Sequence, residues 1–244
     1  MAEYFERCPT LFGRPSLHQH LQDALGAQAD WCPIHEYLAK VAATKPLLIF
    51  TTNYDDLMER AIRSTGAQCD VIMYTPHHHE GVKLLWCPDG REPREVLANA
   101  LAAEPDYQPT KRTTLFKLHG SIAVQPQDDE QGHYVATLDD YAQALVQMGR
   151  EQLIPTAFSE PMEKRPFLFL GYSLRDINVR HLLTEITARR GRTTMHSVAF
   201  QGSAGRAAVD LRDIDHELWN LRGVKIHYVT CDELVAQLKR LDPP

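Results

Sequence analysis

The chain holds no cysteine pair of the C-x-x-C type. Its five cysteines (Cys8, Cys32, Cys69, Cys87 and Cys231) are scattered and odd in number. Neither a disulfide framework nor a zinc knuckle can be read from them, and free thiols in a reducing compartment are the simpler reading. No apolar stretch approaches the roughly 20 residues of a membrane span. The opening MAEYFERCPTLFG carries acids and lacks the apolar centre of a signal peptide. These absences predict a cytoplasmic protein with no membrane partner. Positive charge is also short: 26 Lys and Arg face 32 Asp and Glu, a net charge of -6. That argues against a basic field for nucleic acid, so direct nucleic-acid binding is not expected. The local cluster Arg189, Arg190 and Arg192 reads as a solvated helix end. No internal repeat or low-complexity tract occurs.

What is present fits a soluble chain with a substantial core: 244 residues, 43% hydrophobic and 24% charged. One domain over 1–244 is expected, with a helical N-terminal part at 1–45. There, Leu17, Leu21 and Leu25 share a helix face behind a Ser16 cap, and Pro33 opens a second helix bearing Ile34, Leu38 and Val41. Residues 47–50 read as a strand buried on both faces, 55–64 as a helix stopped by Gly66, and 71–74 as a short strand. Residues 75–112 read as a loop-rich insert with a short helix at 96–103. Strands follow at 113–118, 166–170, 197–200 and 225–229. Helices follow at 138–148, after GYSLRD, at 213–221 and at 231–241. Asp139 and Asp140 fall in the first turn of the 138–148 helix, where the dipole favours acids. Strands alternating with helices predict an α/β fold, a doubly wound, mostly parallel sheet with helices on both faces and a small inserted lobe.

Three of these strands end alike. LLIF runs into TTNYDD, TLFK into LHGS, and FLFL into GYSLRD. In an open parallel sheet, ligands bind outside the carboxyl ends of the strands. Asn53, Asp55, His119, Ser173 and Asp176 all fall there. Any one of them is more simply a helix cap, but three such endings together favour a ligand site. Gly120 and Gly171 let the backbone turn sharply or approach a ligand. His119 is a core histidine or a base of the kind that works near neutral pH.

Taken in order, these strings resemble one family. TTNYD resembles the T-x-N-x-D segment of sirtuins, KLHG their catalytic His-Gly, and GYSL their Gly-x-Ser-Leu segment. The nearest branch is the sirtuin-like domain of bacterial antiphage defence proteins, which WNLRGVKIHYVTCDELVAQLKRL also resembles. The resemblance spans roughly residues 45–241. It implies a Rossmann-type fold that takes NAD as substrate and hydrolyses it to ADP-ribose and nicotinamide, depleting NAD in defence. It implies Asn53, His119 and Asp55 as catalytic residues. Thr51, Thr52, Gly120, Gly171, Ser173, Leu174 and Asp176 are then the NAD-binding residues. It further implies a homo-oligomer or a defence partner such as an ATPase or an Argonaute-like protein.

Leaving nicotinamide places positive charge on the ribose, as in glycoside cleavage. An amide at Asn53 can orient ribose or water, and His119 can accept a proton. Ser173 and nearby N–H groups suit a ribose or phosphate. Asp56 reads as a helix-start acid.

The sequence departs from the family twice. The four-cysteine zinc site of the deacylases is missing, which favours hydrolysis over deacylation and a lobe with no zinc ribbon. Nothing before Asn53 matches the Gly-Ala-Gly loop that wraps the pyrophosphate, so an N-terminally truncated module that binds NAD or ADP-ribose, or only a protein, is the alternative expectation. His77, His78 and His79 invite a metal reading with Asp55 and His119. Adjacent histidines diverge, however, so a solvated loop is simpler and no metal is expected.

Overall fold

In the computed structural model, the described residues are 13–25, 30–74, 83–123, 134–137, 140–142, 154–172, 177–190, 196–202, 217 and 219–241. The chain divides into two compact units, Met1–Ala157 and Phe158–Pro244. The first contains strands β1 (Leu48–Thr51), β2 (Cys69–Tyr74), β3 (Lys83–Cys87), β4 (Arg94–Leu97) and β5 (Thr113–Lys117). They form one sheet in the order β1-β5-β2-β3-β4. β1, β5 and β2 run parallel, whereas β3 and β4 are antiparallel additions. The second unit contains β6 (Leu168–Leu170), β7 (Ser197–Gln201) and β8 (Val224–Tyr228), a parallel sheet in that order. The α/β, mostly parallel expectation holds, with the strands divided between two sheets.

The helices are α1 (Gly13–Leu25), α2 (Pro33–Thr44), α3 (Leu57–Ser64), α4 (Thr156–Lys164), α5 (Ile177–Arg190) and α6 (Cys231–Leu241). Among the described residues, no helix is long and apolar enough to cross a membrane. On α3, Met58, Ala61 and Ile62 share a face and pack with Ala39 and Ala42 of α2. That layer covers Cys69, Val71 and Met73, alternate residues of β2, together with Leu115 of β5. α6 opens on a reciprocal cap: Glu233 N donates to Thr230 Oγ1 at 3.3 Å, and Thr230 N donates to Glu233 Oε2 at 3.0 Å.

Several expectations need correction. α1 begins at Gly13, so Ser16 lies inside it and is not its cap; Pro15 is tolerated because it falls in the first turn. β1 is not buried on both faces. Among the described residues it is an edge strand paired with β5, and its four residues are half-buried. In 166–170, β6 is likewise an edge strand among the described residues of its unit, with Leu168 55% exposed. In the 75–112 region, the described residues from 83 onward carry a hairpin, β3 and β4, that extends the sheet. Val96 belongs to β4, leaving only a 3-10 turn at Leu101–Ala103. α4 has no counterpart in the sequence reading; its interior Pro161 argues against a helix there. Most of 138–148 and of 213–221 lies outside the described residues, but Asp140 is seen accepting from Ala136 N and Thr137 N at 2.7 and 3.0 Å.

The hairpin is fastened to β2 by charge. Asp70, 1% exposed, accepts from Asp89 N at 3.0 Å and pairs with Arg112 Nε at 3.1 Å. Arg94 lies over the Trp86 ring at 4.5 Å.

The four described cysteines are free. Burial pushes the Cys69 thiol up to about 12 and that of Cys87 to about 11. At pH ~8 their thiolate fractions are then about one in ten thousand and one in a thousand. Maleimide labelling of the native chain, read by peptide mapping, should therefore mark exposed Cys32 and spare Cys69 and Cys87 until the protein is unfolded. Equal labelling of all three would contradict this packing.

Candidate functional site

β1 and β5 lie side by side in parallel, with Thr51 opposite Lys117. Both strands therefore end at the same margin of the sheet, and their following loops meet there. Leu118 N donates to Thr51 O at 2.9 Å, which continues the ladder by one bond. Ile122 N and Ser121 Oγ both donate to Tyr54 O, at 3.1 and 3.2 Å. The TTNYD and LHGS segments are thus bonded to each other.

Asn53 is exposed at this margin, and its N–H donates to Thr51 Oγ1 at 3.1 Å. Thr52 is half-buried beside it. Asp55 Oδ1 accepts from Leu57 N at 3.1 Å, so Asp55 supplies the side-chain cap of α3. Asp56 is the first flanking residue of that helix and pairs with Arg60 at 3.2 Å; it starts the helix, as its place in the sequence implies. Asp55→Ala should cost about 1 kcal/mol of stability, the usual loss for removing such a cap. Urea denaturation reads this directly, and an unchanged midpoint would deny the capping role.

His119 is 4% exposed. Its ring lies between aromatic neighbours, 6.3 Å from Tyr54 and 5.3 Å edge-to-face from Tyr141. Gly120, at φ 76, turns the chain in the left-handed region and bridges Tyr134. Val135 N donates to His119 O at 2.9 Å, and Tyr54 OH donates to Val135 O at 2.6 Å. The segment 134–137, with Tyr141, therefore forms a strap over the histidine. His18 of α1 stacks on Tyr134, with centroids 5.7 Å apart.

Beneath the loops lies an ion pair. Lys117 Nζ is 2.8 Å from Glu59 Oε1, and the two side chains are 1% and 7% exposed. Lys117 also donates to the backbone carbonyl of Asp55. Burial raises the Glu59 carboxyl above its ordinary range, and the neighbouring Lys117 partly offsets this.

The structure thus brings together Thr51, Thr52, Asn53, Asp55, His119 and Gly120 in the first unit. Gly171, at φ 64, ends β6 in the second unit. Ser173, Leu174 and Asp176 lie outside the described residues, as do His77, His78 and His79. Among the described residues, no group of three His, Cys, Asp or Glu side chains is placed to hold a metal. Sequence reasoning missed Lys117, Glu59 and the tyrosines around His119. A lysine closing the apolar run TLFK was the available signal.

A family model described as a SIR2-like domain matches residues 47–227. The NAD(+) hydrolase ThsA of Acinetobacter baumannii (strain 532279) is 27% identical over 174 residues, covering 71% of this chain and 28% of that protein. The chain spans less than a third of that relative's length.

Proposed function

The chain belongs to the SIR2-like domain family, and on that footing we propose that it hydrolyses NAD, adding water across the N-glycosidic bond to give ADP-ribose, nicotinamide and a proton. The observation that carries this reading is the bonding of the Asn53 loop to the His119 loop at the ends of adjacent parallel strands. The similarity to an NAD(+) hydrolase supports the choice of substrate.

In this reading Asn53, exposed on a tethered backbone, orients the ribose or the attacking water. Holding the reacting groups in place supplies much of the rate. His119 accepts the proton released as water or a ribose hydroxyl attacks the cationic ribose carbon. Asp55 has one oxygen committed to Leu57 N, leaving Oδ2 for the carboxamide or ribose. Thr51, Thr52 and Gly120 are the binding residues that the first unit contributes in this reading. Gly171, Ser173, Leu174 and Asp176 are the binding residues expected from the GYSL segment. Because His119 is only 4% exposed, substrate entry in this reading requires Tyr134, Val135 and Tyr141 to move aside.

The setting we infer is antiphage defence through loss of NAD, with a homo-oligomer or a defence partner. The test is nicotinamide release from NAD, run beside calorimetry with NAD and ADP-ribose. Release should proceed undiminished in EDTA. Inhibition by EDTA that a divalent ion reverses would move the reading to a metallohydrolase. Binding without turnover would make the domain a nucleotide-binding module.

A further inference from the structure

We propose that Lys117, with Glu59 as its counterion, is a positioning residue that fixes loop 53–55 against the His119 end of β5. Its role in turnover rests on the NAD-cleaving reading above.

Lys117 is the last residue of β5, lies opposite Thr51, and is fully buried. Its ammonium reaches Glu59, in the first turn of α3, and the Asp55 carbonyl. That carbonyl needs an outside donor. The helix ladder begins one residue later, where Asp56 O accepts from Arg60 N at 3.0 Å. Asp55 O precedes the ladder, so α3 offers it no N–H. Lys117 supplies one, while Leu57 N holds the Asp55 side chain and the 121–122 segment holds the Tyr54 carbonyl. The backbone behind Asn53 is therefore pinned to the strand that carries His119.

Stability alone does not explain this choice. Two apolar side chains would fill the same volume without desolvating two charges, and such replacements are often neutral or stabilising. Among the described residues, Glu59 Oε2 moreover finds no hydrogen-bond partner. What the charged pair adds is a rigid cationic donor to a loop carbonyl.

The test is the double substitution Lys117→Met with Glu59→Leu, beside Glu59→Gln alone, in the full chain. Three quantities are read: melting midpoint, amide hydrogen exchange across residues 51–57, and the kcat and KM of nicotinamide release. The double variant should melt within a few degrees of wild type. Exchange should rise about tenfold or more in 51–57 but not in β2. Its kcat should fall about a hundredfold, the scale of a small misplacement of reacting groups, with KM changed less than about threefold. Glu59→Gln, which keeps Lys117 with a weaker partner, should show a smaller change in the same direction. Wild-type exchange and kcat in the folded double variant would overturn the proposal. Where the double variant fails to melt cooperatively, wild-type behaviour of Glu59→Gln overturns it. Should the wild-type chain itself release no nicotinamide, the NAD reading falls, and exchange alone decides the clamp.

Discussion

Asn53→Ala and His119→Ala should each lower nicotinamide release at least about a hundredfold while leaving a folded protein. Positioning and proton transfer each supply factors of about 10² to 10⁴, so neither loss is small. The two variants differ in what else they disturb. The Asn53 side chain is exposed, and the bond holding its residue in place, from its own N–H to Thr51 Oγ1, survives truncation. Its melting midpoint should match wild type. The His119 ring is enclosed by Tyr54 and Tyr141, so its removal leaves a gap and should cost about 1–3 kcal/mol. Circular dichroism and calorimetry separate that cost from catalysis. Full activity in either variant would reject the assignment of roles.

Lys117→Ala should be the most destabilising single change in the site. It strands the Glu59 carboxyl in a buried position, and breaking a buried pair from one side costs about 3–5 kcal/mol. For a chain of this size that lowers the melting midpoint by about 10 °C. The loss should also depend on pH. Burial already raises the Glu59 carboxyl above its ordinary value of 4.5, and Lys117 is the group that pulls it back. Without Lys117 the folded-state value rises further above the unfolded one. The variant then binds a proton more readily when folded, so the Glu59 contribution to its stability is fully present below pH 4.5 and is lost as pH climbs through the raised folded value. The gap in midpoint between wild type and Lys117→Ala should therefore widen from pH ~4 to pH ~8. A gap that stayed constant would mean that Glu59 is not the stranded charge.

The sequence made the strand endings legible because each combines an apolar run with an abrupt polar turn, a local signal. TTNYDD and KLHG could be read as neighbours in function, and the parallel pairing of β1 and β5 brings them together. What stayed hidden depends on distant partners. Glu59 follows Met58 on α3 and borders the apolar face, so helical periodicity alone cannot tell a rim residue from a buried one. Lys117 decides it, arriving from another element. The run LLIF reads the same in a central strand as in an edge strand; only the sheet order makes β1 an edge. REVLANALAA has helical propensity, but pairing with β3 draws Arg94–Leu97 into a strand. The tyrosines around His119 give no periodic signal, because Tyr134 and Tyr141 reach it through a strap.

The pairing of β1 with β5 has a consequence for biosynthesis. The two strands are joined across a long stretch of chain, 66 positions between Leu47 and Thr113 at the bond beside their first rung. The hairpin of β3 and β4 closes locally, but β1 must wait for a distant strand and pay the entropy of a large loop first. During translation, the segment bearing Asn53 leaves the ribosome long before the one bearing His119. The two cannot be neighbours until β5 has emerged and docked, so the site proposed above is not assembled for that interval. On the proposed NAD-cleaving reading, a cell making this domain is spared NAD loss from unfinished chains.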